Sequence, residues 1–179
     1  MFKNFLSFYF ILTLLFSVKI QAQDEALDES EMILPPLGIV NQVYEDMTGN
    51  WIAESNMMGI PMVQDMKIYW DINHQFLIVD LRSTGKEDVT KTYQGKGLFG
   101  VDQMGNAKTW WFDSWGADNV SIGSGAFSDN KVTVNNSNSM MTETRSFLVA
   151  GNEMIMNSKG TMKIAGKEIP YDETVIFRR

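Results

Sequence analysis

Apolar and polar side chains alternate along short segments of this chain from Gly49 onward, and turn sequences separate these segments about every 8–12 residues. In segment 64–70, for example, Met66, Ile68 and Trp70 share one face. Such alternation is typical of a sheet with one buried and one solvated face, which antiparallel strands allow. Roughly nine or ten short strands favour closure, because a barrel leaves no unpaired edge. The pattern predicts an all-β, antiparallel up-and-down β-barrel.

Turn chemistry and a short helical pattern divide this region further. Ile39, Val40, Val43 and Tyr44 lie at helical spacing, which predicts a short helix within residues 37–47, before the first strand. Glycine, asparagine and aspartate punctuate the strands. The predicted turns are Met58-Gly59-Ile60-Pro61, Asp71-Ile72-Asn73-His74, Ser83-Thr84-Gly85, Met104-Gly105-Asn106, Ser128-Asp129-Asn130 and Ala165-Gly166.

The first residues predict export. An apolar run follows Lys3 and is too short, at about 21 Å as a helix, to cross a hydrocarbon core of roughly 30 Å. It ends near Ala22, a small residue suited to signal-peptide cleavage. We therefore expect a signal peptide over 1–22, an acidic flexible leader over 23–36 and a barrel domain over 37–179. The expected location is periplasmic or extracellular, with no membrane span after cleavage.

Composition excludes several classes of function. The chain has no cysteine and one histidine, which rules out disulfides, thiolate metal sites, cysteine nucleophiles and sites that need two imidazoles. Its net charge is −7, so a phosphate backbone would be repelled and nucleic acid is not an expected partner. No cofactor, metal ligand set or catalytic residue is predicted. The sequence leaves the oligomeric state open.

The two ends of the predicted barrel carry a family resemblance. Gly49-Asn50-Trp51 opens the first strand, and Ile176-Phe177-Arg178-Arg179 ends the last one. This pairing resembles the calycin superfamily, in which a basic residue of the last strand crosses a tryptophan of the first. A guanidinium over an indole gains a cation–π contact. Gly49, Trp51 and a terminal arginine are therefore expected to close one barrel end; alternation leaves the choice of arginine open, and we favour Arg178 over the terminal residue.

Interior motifs make the resemblance more specific. Tyr93-Gln94-Gly95-Lys96-Gly97, Gly100-Val101-Asp102 and the segment 108–116, which contains Trp111-Phe112-Asp113-Ser114, occur in one order. Together they are similar to an exported bacterial lipocalin-like family, the domain of unknown function numbered fifteen seventy-nine, although Val101 stands where that family often has tyrosine. The resemblance covers residues 47–179. It implies a calycin-like barrel and no established activity.

Alternation also selects candidate residues for the lining of a cavity. The large apolar side chains assigned to inward faces are Met66, Trp70, Tyr93, Trp110 and Phe112. Trp110 and Trp111 are adjacent, so they cannot both point inward, and we assign Trp111 to the outer face. Aromatic residues and methionine with a few polar groups are typical of a small-molecule pocket.

Arg145 is the candidate for a charged group in this lining. If the face of Phe147 is inward, Arg145 is a buried cation that would meet a ligand head group. If Thr144 and Ser146 are inside, it is a surface residue; both faces are mixed, and both assignments stay open. The acidic residues of the strands are expected on the outer, solvated face: Asp80, Asp113, Glu143, Glu153, Glu168, Asp172 and Glu173.

Other candidate sites receive less support. His74 lies in a predicted turn with no convergent nucleophile, which favours a surface residue over a catalytic base. The chain has 13 methionines, with four in segment 57–66. Thioethers suit Cu(I), but cavity or core filler is the favoured interpretation because flexible methionine adapts to different apolar neighbours.

These observations predict an exported barrel that binds a small apolar or amphipathic molecule. The alternatives are a structural or protein-interaction module whose barrel is filled by its own side chains, and, less favoured, an enzyme or a Cu(I)-binding protein. A barrel of this kind can be wide enough for one ligand or packed solid. A cavity of several hundred cubic ångströms would favour binding, and an enzyme would also need titratable groups that converge there.

Overall fold

The computed structural model describes residues 36–179, which contain ten antiparallel β-strands and one short α-helix. The predicted signal peptide over 1–22 and the predicted leader, apart from its last residue Pro36, lie outside the described residues. The chain from Leu37 to Arg179 forms one compact unit. No helix in the described part of the chain is long and apolar enough to cross a membrane.

The ten strands close into a single barrel. Each strand pairs antiparallel with the next in sequence, and β1 pairs with β10 through Ile52 and Arg178. This up-and-down order confirms the predicted all-β antiparallel barrel. The strands are β1 (Gly49–Met57), β2 (Ile60–Asp71), β3 (Phe76–Gly85), β4 (Thr92–Val101), β5 (Ala107–Asp113), β6 (Ser121–Ser128), β7 (Lys131–Ser137), β8 (Met141–Ala150), β9 (Glu153–Ile164) and β10 (Lys167–Arg178).

A short helix precedes the first strand, as predicted. Helix α1 (Gln42–Met47) begins after Asn41, whose side-chain oxygen accepts a hydrogen bond from the Tyr44 backbone N–H at 3.1 Å. It ends at Thr48, whose hydroxyl donates to the Glu45 carbonyl. The helix is shorter than the segment 37–47 that carried the helical pattern, because residues before Asn41 have no helical backbone.

Most predicted turns lie between strands, but one does not. Ser83-Thr84-Gly85 forms the end of β3 rather than a turn, and β3 reaches β4 through residues 86–91. Ser83 pairs with Tyr93 of β4 and with Gln64 of β2, so the ladder continues past the small polar residues that suggested a turn. A single-turn 3₁₀ helix, Ala117–Asn119, lies between β5 and β6.

The core fills the barrel end that α1 covers. Tyr44, Met47, Trp51, Leu77 and Phe177 are almost completely removed from solvent there. The Tyr44 ring packs against three aromatic rings with centroid distances of 5.0–6.2 Å, those of Trp70, Phe99 and Phe127. Burial of large side chains supplies the main stabilising free energy of such a core. We call this region, from α1 to the inward residues at the start of β1, the closed end.

Candidate functional site

A cavity of about 540 Å³ occupies the part of the barrel farther from α1, which we call the open end. Its wall combines apolar side chains with hydrogen-bonding groups from most strands. The apolar lining includes Met57, Met66, Val79, Leu81, Phe99, Trp111, Phe147, Met156, Met162 and Ile169. The volume is in the range of cavities that hold small molecules.

A buried carboxylate organises one side of this cavity. Glu143 of β8 accepts a hydrogen bond from Ser158 at 2.6 Å and one from Tyr171 at 2.8 Å. It also accepts from Asn136 at 3.1 Å and forms an ion pair with Arg145 at 3.0 Å. Burial opposes ionisation, but the Arg145 guanidinium and these hydrogen bonds together hold the pKa of Glu143 below its ordinary value. The group is therefore a satisfied, ionised carboxylate at neutral pH.

A second polar cluster lies across the cavity on β4 and β5. The Trp111 indole N–H donates to the Tyr93 hydroxyl at 2.9 Å, and that hydroxyl donates to Asp113 at 3.2 Å. Asp113 also accepts hydrogen bonds from the Asn119 amide and from the Trp115 backbone N–H. Burial raises the pKa of Tyr93 well above its ordinary value, so Tyr93 is a neutral phenol that can donate.

Trp111 connects the two clusters. The Arg145 guanidinium lies over its ring at 5.8 Å from the centroid. The Trp111 ring also packs against β4, where a Cβ added to Gly95 or Gly97 would overlap the indole. The Gly95-Lys96-Gly97 motif thus leaves room for a large side chain to lie flat against the backbone of the neighbouring strand.

Two residues that line the cavity have a side-chain acceptor without a donor among residues 36–179, although the Gln64 oxygen itself is almost inaccessible. Gln64 of β2 is 5% exposed, and its amide nitrogen donates to Ser55, but its side-chain oxygen has no hydrogen-bond partner among the described residues. The half-buried Glu173 of β10 makes neither a hydrogen bond nor an ion pair within residues 36–179. Burial raises the pKa of Glu173 above its ordinary value, although the charge of Arg145 opposes this effect.

The structure brings three of the predicted lining residues to the cavity. Met66, Tyr93 and Arg145 line it, and Phe147 is buried beside Arg145 on β8. The inward assignment of the Phe147 face, one of the two alternatives, is therefore the one observed. The charge of Arg145 is balanced by its neighbour Glu143.

The predicted facing of β5 is wrong. Trp110 and Phe112 point away from the cavity; Trp110 packs against Phe76 with ring centroids 5.9 Å apart, and Phe112 is 43% exposed. Trp111 and Asp113 line the cavity instead. The error arose because the more apolar face was assigned inward, whereas the interior of the open end holds polar clusters.

Trp70 also does not line the cavity. It lies at the closed end, where α1 covers it, with its ring 6.0 Å from Tyr44 and stacked 4.0 Å from the imidazole of His74. His74 in turn lies 3.0 Å from Glu45 of α1, and its carbonyl accepts from the Ile39 backbone N–H. His74 therefore holds the segment around α1 against the β2–β3 turn, far from the polar clusters.

The closure of the barrel uses the other arginine. Arg179 lies over the Trp51 ring at 4.6 Å from the centroid and donates to the carbonyls of Thr48 and Gly151. Arg178, the favoured candidate, points outward and pairs with Glu153. The register explains the difference, because buried Phe177 and outward Arg178 alternate and the next residue returns to the inner side.

Four acidic residues expected on the outer face are among those that line the cavity: Asp113, Glu143, Asp172 and Glu173, of which Asp172 is exposed and pairs with Lys159. Sequence reasoning missed them because an acidic residue on a strand ordinarily faces solvent. Hydrogen-bond donors on neighbouring strands, such as Ser158 and Tyr171, make the burial of Glu143 possible. The Gly95-Lys96-Gly97 motif could have revealed the inward face of β5. Two glycines on one face of a strand leave room for a bulky inward side chain on the neighbouring strand.

Methionines from two distant segments meet around the cavity. Met57 and Met58 come from the first methionine-rich segment, and Met140, Met141 and Met162 from the second. Flexible thioether side chains allow a cavity wall to adapt to its contents. No group of three or more histidine and acidic side chains with metal-binding geometry occurs among residues 36–179.

No family model matches the sequence, and no curated protein matches it.

Proposed function

We propose that this protein binds a small amphipathic molecule in the cavity at the open end of the barrel. The observation that carries the proposal is the cavity of about 540 Å³ inside a closed barrel, with an apolar lining and polar groups on two sides. A barrel filled by its own side chains would leave no such volume. Burying about 300 Å² of apolar ligand surface would contribute roughly 7 kcal/mol before the cost of immobilisation is subtracted.

The geometry favours binding over catalysis. Titratable groups do converge on the cavity, but Glu143 and Asp113 each accept several hydrogen bonds within the protein. No serine or threonine hydroxyl contacts His74 among the described residues, so a base next to a nucleophile is not present there. Both carboxylates are therefore held in place by the protein, in positions from which they can orient a ligand.

Export and family membership are parts of the same proposal. The apolar run that ends near Ala22 supports export, and the N-terminus of the protein purified from its host would be near Gln23. The closed barrel, with Trp51 under a terminal arginine, supports membership of the lipocalin-like family. Detection of intact residues 1–22 in the membrane fraction would contradict the export part.

Tryptophan emission tests the binding proposal. Titration with a fatty acid, a quinone, an isoprenoid alcohol and a long-chain amine should shift or quench the emission for at least one class. Trp111→Phe should lose most of that change because Trp111 lines the cavity, whereas Trp110→Phe should keep it. Flat titrations for all four classes would contradict the proposal.

A further inference from the structure

We propose that the open end of the barrel docks on the surface of a lipid bilayer, with the mouth of the cavity facing the acyl chains. This inference goes beyond ligand binding and names a partner for the surface around the mouth. Three observations carry it: the positions of exposed apolar side chains, the contrast in charge between the two barrel ends, and the continuity of the exposed residues with the cavity.

Every connection between strands at the open end presents a large apolar side chain to solvent. These connections are residues 58–59, 86–91, 114–120, 138–140 and 165–166. Each of the first four contains an exposed apolar residue, and the fifth is followed closely by one in β10. The five residues are between 38% and 72% exposed, and they are Met58, Val89, Trp115, Met140 and Ile169. They therefore surround the mouth of the cavity, and we call them the apolar ring.

The composition of the apolar ring suits a bilayer better than a protein partner. Exposed apolar side chains of this size mark sites of interaction with proteins or membranes. A protein partner would have to match five separate connections at once, and it would cover the mouth. A fluid bilayer buries each side chain independently of the others. Trp115 adds a side chain that is favoured at the boundary between water and lipid.

Charge distinguishes the open end from the closed end, where Leu37, Val40 and Ile72 are also exposed. The open-end connections carry both signs, with Lys86, Lys91, Glu87, Asp88 and Asp118. Helix α1 and the closed-end connections carry acidic residues without any lysine or arginine: Glu45, Asp46, Asp102 and Asp129. The two arginines that end the chain are engaged by Glu153 and by the Trp51 ring. Lipid phosphates repel acidic groups, so the open end approaches a bilayer at the lower electrostatic cost.

The apolar ring is continuous with the cavity. Four of its five members line the cavity as well as contacting solvent: Met58, Trp115, Met140 and Ile169. When this end is docked, apolar side chains connect the acyl chains to the cavity wall. An apolar molecule then passes between bilayer and cavity without the cost of crossing water.

Partition into phosphatidylcholine vesicles, measured by co-sedimentation of the protein purified from its host, tests the docking surface. Val89→Ser/Trp115→Ser should lower the partition coefficient about tenfold or more, because it removes apolar area that the bilayer would bury. The control Val40→Ser/Ile72→Ser removes exposed apolar side chains from the closed end and should leave the coefficient within about twofold of the parent value. The two variants share the same N-terminus, so its contribution cancels, and urea unfolding curves check that both fold.

Fluorescence quenching tests the orientation of the docked protein. Vesicles with bromine atoms on the acyl chains should quench the emission of the parent protein. Trp115→Phe, which keeps an apolar ring at the mouth, should lose most of this quenching. Trp110→Phe, which changes a side chain packed on Phe76 outside the cavity, should keep it.

The outcomes are distinct. A parent protein that does not partition into the vesicles would overturn the docking proposal, and so would equal losses in the two double variants. A dimer in solution that Val89→Ser/Trp115→Ser dissociates would overturn it in favour of an interface between two copies of the chain. Ligand binding is measured without vesicles, so the docking proposal and the binding function can fail separately.

Discussion

The two ends of this barrel are built from the same alternating strands but have different interiors. At the closed end, inward positions carry Tyr44, Trp51 and Phe177, which pack on one another and exclude solvent. At the open end, inward positions carry Glu143 and Arg145 beside a cavity. Alternation along each strand decides which positions point inward. The side chains at those positions are apolar at the closed end and include charged groups at the open end.

This difference between the two interiors also assigns stability mainly to the closed end and the proposed ligand binding to the open end. The closed end is secured by buried surface and by hydrogen bonds that tie α1 to the barrel, such as that from the Trp51 indole to the Met47 carbonyl at 2.8 Å. The open end replaces some of that packing with polar clusters and volume. The same substitution, made at the closed end and at the open end, should therefore change the free energy of unfolding by unequal amounts.

The largest difference is expected between two tryptophans. Trp51→Ala removes a buried indole from the closed end and should lower the free energy of unfolding by about 3–5 kcal/mol. Trp115→Ala, at the half-exposed rim of the cavity, should cost less than about 1 kcal/mol. Urea unfolding measures both, and similar costs would contradict the assignment of stability to the closed end.

Two carboxylates of the cavity should have opposite effects. Glu143→Gln leaves Arg145 without its counter-charge and should cost about 3 kcal/mol at neutral pH. Glu173→Gln should be neutral or stabilising, because partial burial disfavours the ionised form of Glu173.

The pH dependence of unfolding checks these signs. The pKa of Glu143 is lower in the folded protein, so its contribution is present above the ordinary value of 4.5 and is lost as pH falls through the depressed folded value. The difference between the parent and Glu143→Gln should therefore narrow on acidification. The pKa of Glu173 is raised in the folded protein, so ionised Glu173 lowers the free energy of unfolding at pH values above this raised pKa. That destabilisation disappears as the pH falls. A difference in free energy of unfolding between the parent and Glu143→Gln that increases as the pH falls would contradict the account.

A smaller effect is expected from Gly95→Ala. The added Cβ would overlap the Trp111 indole and should displace it, at a cost of about 1–3 kcal/mol and with a change in tryptophan emission. Lys96→Ala, the adjacent outward position, loses only a surface ion pair with Asp80 and should cost less than about 1 kcal/mol. An unchanged emission spectrum in Gly95→Ala would contradict the packing of Trp111 on β4.

The smallest effects distinguish the two terminal arginines. Arg179→Ala removes a guanidinium from the Trp51 ring and two hydrogen bonds to carbonyls, and should cost about 1 kcal/mol. Arg178→Ala removes an exposed pair with Glu153 and should cost about 0–0.5 kcal/mol. A larger effect of Arg178→Ala in thermal unfolding would reverse the assignment of the closing arginine.

The sequence predicted the barrel well because alternation and turn residues are local signals. The facing of β2 was predicted correctly, since Met66 and Ile68 are inward and apolar. The facing of β5 was not, because Trp111 and Asp113 point inward only through contacts with Gly95 and Tyr93 on the next strand. Such cross-strand contacts depend on register, which one sequence does not specify.

The polar clusters escaped prediction for the same reason. Glu143, Ser158 and Tyr171 lie far apart in sequence and meet only because β8, β9 and β10 are neighbours in the closed barrel. The choice of Arg179 over Arg178 likewise depends on the side toward which the residue after the end of β10 points.

The most direct test of the central claim, that ligand enters the open end and not the closed end, is a nuclear magnetic resonance titration of the protein labelled with ¹³C at the methionine methyl groups. The neutral probe 1-decanol makes the result independent of ligand charge. We expect shifts for the cavity methyls of Met57, Met141 and Met162, and none for the closed-end methyls of Met47 and Met154. Unmoved cavity methyls at saturating probe, or equal shifts at both ends, would contradict the account.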